Sequence, residues 1–117
     1  MIKPVIIGAA RTPMGSFQGA FAKLSATELG GFAISAAITN AKVKPEKVDE
    51  LFMGCVLPAG LRQAPARQAG IRAGLPDFVP ATTVNKVCGS GMKTILIAVD
   101  KILSGNANFI VAGGMES

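Results

Sequence analysis

Apolar positions along the chain fall into two patterns. Short unbroken runs appear in "PVIIGAA" at residues 4–10, in "DELFMGCVLPAG" at 49–60, in the β-branched "VPATTVNKV" at 79–87 and in "NFIVAGG" at 108–114. Runs of this length next to Gly, Pro or Asn predict buried strands over 4–10, about 50–56, about 80–86 and 108–114. Between them the apolar spacing becomes helical. Residues 25–41 open with Ser25 and Glu28 at capping-box spacing. Leu29, Phe32, Ala33 and Ala36 share one face of that predicted helix. Gly30 and Gly31 weaken it intrinsically but would let it lie close to a sheet. A second helix is predicted from about Pro65 to Ala73, closed by Gly74, with a turn or short helix start at Lys44–Lys47.

The strongest helical signal spans 88–104. Met92, Ile95, Leu96, Val99, Ile102 and Leu103 recur on one face, and Gly105 ends the run. Strand and helix therefore alternate, which predicts an α/β fold with a mostly parallel sheet. The 117 residues are enough for one modest domain, and half of them are apolar.

That alternation gives Cys88 its interest. It stands between the third strand and the third helix, followed by Gly89-Ser90-Gly91. In open α/β sheets, sites gather outside the carboxyl ends of strands, where helices begin. A helix amino terminus favours a thiolate through its dipole and its unpaired N–H groups. Gly89 and Gly91 are expected to keep the first turn free of bulk, so a substrate carbonyl can approach, and a backbone N–H there can stabilise an oxyanion. A small buried residue filling a strand–helix corner is the other reading of the same position. Position alone does not choose between them.

Composition narrows the chemistry. The chain has no His, Trp or Tyr, so the commonest general base is not among its residues. Twelve basic and seven acidic residues give a formal charge of +5. The basic residues are dispersed and not interleaved with aromatics, which argues against nucleic acid and fits an anionic small substrate or simple solubility. Two cysteines in unlike contexts make no disulfide framework, which suggests a reducing compartment. The short apolar run at the start is a poor signal peptide and too short to span a membrane.

The segment "VNKVCGSGMK" resembles the nucleophile segment of thiolases. "VIIGAARTPMGSFQGAF", "LFMGCVLPAGLRQAPARQAGIRAGLP" and "IVAGGMES" agree with that family in order and spacing. The resemblance covers essentially the whole chain and implies a thiolase-like fold. It implies that residues 1–117 are an N-terminal thiolase domain ending ahead of the loop domain and the C-terminal half. It also implies that Cys88 is the acyl-accepting nucleophile of an acetyl-CoA C-acetyltransferase. That enzyme joins two acetyl-CoA into acetoacetyl-CoA or cleaves a 3-ketoacyl-CoA with CoA, as part of fatty-acid and lipid metabolism.

The activating His, the second catalytic Cys and most groups that hold CoA belong to the C-terminal half. CoA-contacting residues are therefore unassigned here. No cofactor or metal is implied, since coenzyme A thioesters are the substrates, and the 117 residues alone are expected to be inactive. The family also implies a homodimer or dimer of dimers with the strand at 80–86 at the interface and Asn85 as a cross-subunit contact. The helix at 88–104 would lie between two sheets. Cytoplasm is the expected location, with a mitochondrial or peroxisomal matrix as the alternative.

Two other functions stay open. One is a ketoacyl synthase-like condensing enzyme, whose nucleophile typically sits in an Ala-rich context. The other is a noncatalytic thiolase-like lipid-binding or assembly module. Cys55 is read as packing. Arg11, Thr12 and Pro13 are read as a loop, Gln63 and Arg67 as helix-surface polarity, and Met115, Glu116 and Ser117 are given no chemistry.

Overall fold

A computed structural model describes residues 2–117. Three strands, β1 (Glu50–Gly54), β2 (Ala81–Val84) and β3 (Ile110–Gly114), form one parallel sheet in the order β2-β1-β3. Gly54, the last residue of β1, pairs with Val84 on one side and Gly114 on the other, so all three carboxyl ends finish at the same level. Three helices cover the sheet: α1 (Ala26–Ala41), α2 (Pro65–Arg72) and α3 (Ser90–Leu103).

The period-two alternation of β1 separates two layers. Leu51, Met53 and Cys55 join Ala26, Ile34 and Ile38 of α1 and Ala66 and Ala69 of α2 in one buried cluster. Gly54 turns to the other face, where a methyl group would strike the first turn of α3. On that face Lys101 of α3 pairs with Glu50 at 2.6 Å and lies 5.8 Å from the centre of the Phe52 ring. Covering both faces of the central strand explains its continuous apolar run.

The local signals are realised. Ser25 and Glu28 form both halves of the capping box. The Glu28 amide donates to the Ser25 hydroxyl at 3.2 Å, and the Ser25 amide donates to the Glu28 carboxylate at 2.7 Å. The Ser25 amide, followed by its hydroxyl, holds the Glu28 carboxyl below the usual range. Gly74 follows α2 with a left-handed φ of 89°, a conformation glycine adopts without strain. The amino end of α2 has no cap from its own flank. Instead Thr83 of β2 accepts the Ala66 amide at 2.9 Å.

Two expectations are corrected. The segment 4–10 forms no strand. It runs along α1, with Asn40 donating to the Ala9 carbonyl at 3.0 Å and Gly8 pressed against Ala37 and Ala41. A strand needs a neighbour about 4.8 Å away. Here a cavity of about 270 Å³, lined by Ile2, Val5 and Ile7 on one side and by Ile102, Ala107 and Phe109 on the other, separates this segment from the chain entering β3. Val5 and Ile6 are accordingly 70% and 82% exposed.

The face of α1 is also different. Ala26, Thr27, Gly30, Gly31, Ile34 and Ile38 are buried, and Phe32 is 61% exposed. Gly30 and Gly31 allow close approach to α2 and Met115 rather than to the strands: a Cβ on Gly30 would fall 3.3 Å from the Ala69 Cβ, and one on Gly31 2.9 Å from the Arg72 Cβ.

The apolar stripe of α3 faces away from the sheet. Ser90, Thr94 and Ala98 are buried, while Met92, Ile95, Leu96 and Leu103 are exposed. Small side chains let the helix sit tightly on glycine-rich strand ends. Thr94 satisfies its hydroxyl by donating to the Gly91 carbonyl at 2.6 Å, with the Gly113 carbonyl also within reach at 3.1 Å.

Candidate active site

The chain leaves β2 at Val84 and enters α3 at Ser90, so five residues must turn it from strand to helix. The turn is made at Val87, whose φ is +48°. A β-branched residue in the left-handed region costs about 1–3 kcal/mol and persists only where its surroundings hold it. Four hydrogen bonds do so. The Asn85 side-chain oxygen accepts the Val87 amide at 2.9 Å. The buried Ser90 hydroxyl donates to the Val87 carbonyl at 2.6 Å and accepts the Lys86 amide at 2.8 Å. The Ser90 amide also donates to the Val87 carbonyl at 3.2 Å.

Cys88 follows the strained residue directly and is exposed. Within this chain its side chain does not fill the strand–helix corner. Strained strand-to-helix turns of this kind hold nucleophiles clear of the sheet in other α/β enzymes. Gly89 caps the helix, and the space over it is open, the nearest atom to a Cβ there being the Lys86 carbonyl oxygen at 3.5 Å. Gly91 does not share that role. Its Cβ position faces Gly114, 3.7 Å from that residue's Cα, so it serves the contact between α3 and β3.

Cys55 is a different kind of thiol. It is 1% exposed, sits in the core cluster, and points its sulfur at Glu116, 3.7 Å away. Burial first, and then the Glu116 carboxylate, push its thiol above the ordinary range. Both cysteines are free.

Among the other residues singled out, Asn85 uses its side chain within the chain, donating to the Val56 carbonyl at 3.2 Å while accepting from Val87. Arg67 reaches the Asp77 carbonyl at 3.0 Å, in the segment leading into β2 and away from Cys88. The Gln63 carbonyl accepts the Gln68 side chain at 2.7 Å. Arg11 and Pro13 are exposed and Thr12 is half-buried, in irregular chain before α1. Ser117 donates to the Leu24 carbonyl at 2.7 Å, and Met115 is buried against Gly30.

Ser90 and Glu116 hold the backbone around the two cysteines, and sequence reasoning gave neither that role. Ser90 lies inside the very motif that drew attention to Cys88. Glu116 carries no local signal, since its partners are about 60 residues away.

The wider comparisons agree with this geometry. The family model of the thiolase N-terminal domain matches residues 4–117. An acetyl-CoA acetyltransferase of Cupriavidus necator is 55% identical over all 117 residues, and one of Schizosaccharomyces pombe is 54% identical over 96% of the chain. A mitochondrial acetyl-CoA acetyltransferase of Danio rerio is 54% identical over 97% of the chain. The chain spans 30%, 28% and 27% of the lengths of these relatives. A crystal structure of the Acat5 thiolase of Ascaris suum, in complex with coenzyme A, superposes with a TM-score of 0.94 at 38% identity, covering 96% of this chain and 29% of that one. The match takes in the strands, the three helices and the turn that presents Cys88, and by it the chain belongs to the thiolase N-terminal domain family.

Proposed function

We propose that this chain supplies the acyl-accepting cysteine of an acetyl-CoA acetyltransferase. The Cys88 thiolate attacks the carbonyl carbon of an acyl-CoA, the bond from that carbon to the CoA sulfur breaks, and CoA leaves as its thiol after taking a proton. In synthesis the deprotonated α-carbon of a second acetyl-CoA attacks the acyl group, releasing acetoacetyl-CoA and restoring the Cys88 thiolate. Cleavage of a 3-ketoacyl-CoA by CoA runs the same steps backwards. A thioester suits both directions because exchange between thiols is nearly balanced.

One observation carries this reading: Cys88 is exposed on a strained turn at the amino end of α3, while Cys55 is sealed in the core. The names of the relatives favour acetyl transfer over a ketoacyl synthase or a noncatalytic module. The coenzyme A held by the Ascaris thiolase supports a CoA thioester as substrate. The sequence contains no His, so the proton acceptor and the group that manages the α-carbon proton are assigned to the remaining two-thirds of a thiolase subunit. The unpaired outer edge of β2 fits the dimer interface proposed for residues 80–86. The assigned location is the cytoplasm, and the mitochondrial relatives support a matrix alternative.

The test is a chimera carrying residues 1–117 in place of the matching segment of the Cupriavidus enzyme. It is expected to cleave acetoacetyl-CoA, and Cys88→Ala is expected to lower kcat at least about a thousand-fold without unfolding it. Near-parental turnover in Cys88→Ala contradicts the assignment. A folded chimera that is inactive with Cys88 intact contradicts it equally.

A further inference from the structure

We infer that Glu116 is a positioning residue for Cys88, acting through the turn after β1 and through Asn85. This rests on the reading of Cys88 as the nucleophile. The sheet ladder runs out at the carboxyl ends. The Cys55 amide donates to the Val84 carbonyl and the Met115 amide to the Gly54 carbonyl, and beyond them the chain after β1 has no strand beside it. Glu116 replaces that neighbour. One carboxylate oxygen accepts the Val56 amide at 2.9 Å and the other accepts the Leu57 amide at 3.2 Å. Bonds to an ionised acceptor are stronger than neutral ones, so the carboxylate fixes the Val56 peptide firmly.

The peptide unit between Val56 and Leu57, whose N–H donates to Glu116, carries the constraint onward through its carbonyl. The Val56 carbonyl accepts the Asn85 side-chain N–H at 3.2 Å, and the oxygen of the same amide group accepts Val87 N–H at 2.9 Å. An amide group held at both ends cannot rotate without losing a bond. Asn85 is thereby oriented to support the left-handed φ of Val87, the residue that aims Cys88 outward. Glu116, the Val56 peptide, Asn85 and Val87 form a series, each link holding the next. Glu116 lies two residues past β3, so the series ties all three carboxyl ends of the sheet to the cysteine turn.

The experiment uses the full-length subunit made by joining residues 1–117 to the rest of the Cupriavidus enzyme, and two readouts. Amide exchange resolved to single residues by mass spectrometry is expected to accelerate in Glu116→Ala at Val56 and Leu57, which it touches, and at Val87, which it does not. The Val87 rate is expected to rise about tenfold, the scale of one lost hydrogen bond, with β1–β3 ladder amides unchanged. Glu116→Gln, which keeps one acceptor oxygen, is expected to fall between and carries the test if the Ala variant does not fold. Asn85→Ala is expected to accelerate Val87 and leave Leu57 as it was.

The second readout is the rate at which iodoacetamide alkylates Cys88. Glu116→Ala and Asn85→Ala are expected to change it in the same direction, and the double variant to add nothing beyond the larger single effect, as links in series require. Val87 exchange within about twofold of the parent in Glu116→Ala would make Glu116 a local staple of the β1 turn and overturn the inference; so would additive or absent effects on alkylation. Neither readout depends on whether Cys88 accepts an acyl group, so failure here is distinguishable from failed turnover of the chimera.

Discussion

A β-carbon placed on Gly54 falls 2.7 Å from the backbone carbonyl carbon of Ser90. The end of β1 and the first turn of α3 are thus in backbone contact, and Ser90 is the residue that brackets the Cys88 turn. Gly54→Ala is expected to push α3 away from the sheet and destabilise the chain by about 1–3 kcal/mol, the usual range for overpacking. A urea midpoint equal to that of the parent contradicts the contact. Alkylation of Cys88 should change in the same variant, because the displaced helix carries the turn with it.

Ser90 itself gives a second expectation. Its hydroxyl is buried and doubly bonded, to the Lys86 amide and the Val87 carbonyl. Ser90→Ala removes both bonds and leaves the Lys86 amide without that acceptor. The expected loss is about 1–3 kcal/mol, read as a lowered Tm. An unchanged Tm with unchanged Val87 exchange contradicts the bracket.

The contrast between the two thiols is measurable directly. Cys88 is exposed, whereas Cys55 is buried with its thiol pushed up by burial and by Glu116. Access favours Cys88, and the raised Cys55 thiol is the poorer nucleophile. Under native conditions iodoacetamide should modify Cys88 well before Cys55, and in denaturant the difference should collapse. Peptide mapping that finds Cys55 modified first contradicts the structure at the site.

Several large apolar side chains have no cover in this chain, among them Val5 beside the cavity, its neighbour Ile6, and Met92 and Leu96 on the outer face of α3. Surfaces of that kind drive association unless another segment or subunit covers them. The 117 residues expressed alone should self-associate in light scattering and show no acetoacetyl-CoA cleavage. A stable monomer with turnover contradicts both the covering role of the remaining subunit and the assignment of the missing proton acceptor to it.

What could be seen in the sequence follows the range of the interactions involved. Ser25 and Glu28 are three residues apart, and their box was legible because both partners lie in one window. The same holds for α2, from Pro65 to its closing Gly74, and for Cys88 at its strand–helix junction. The strand at 4–10 was misassigned because an apolar run carries no information about whether a neighbour lies beside it. The face of α1 was misread for another reason. Hydropathy selects Phe32, but close contact selects Gly30 and Gly31, whose small size is what lets backbones approach. The Glu116 clamp spans about 60 residues and leaves no mark on local pattern.

In the proposed function Cys88 carries the acyl group between two CoA molecules. Peptide mass spectrometry of the chimera, quenched in acid after mixing with acetyl-CoA, tests this without intermediaries. A single acetyl adduct is expected on the peptide containing Cys88, absent from Cys88→Ala and removed by added CoA with return of acetyl-CoA. An acetyl group found on another residue, or an adduct at Cys88 that CoA does not discharge, would contradict it.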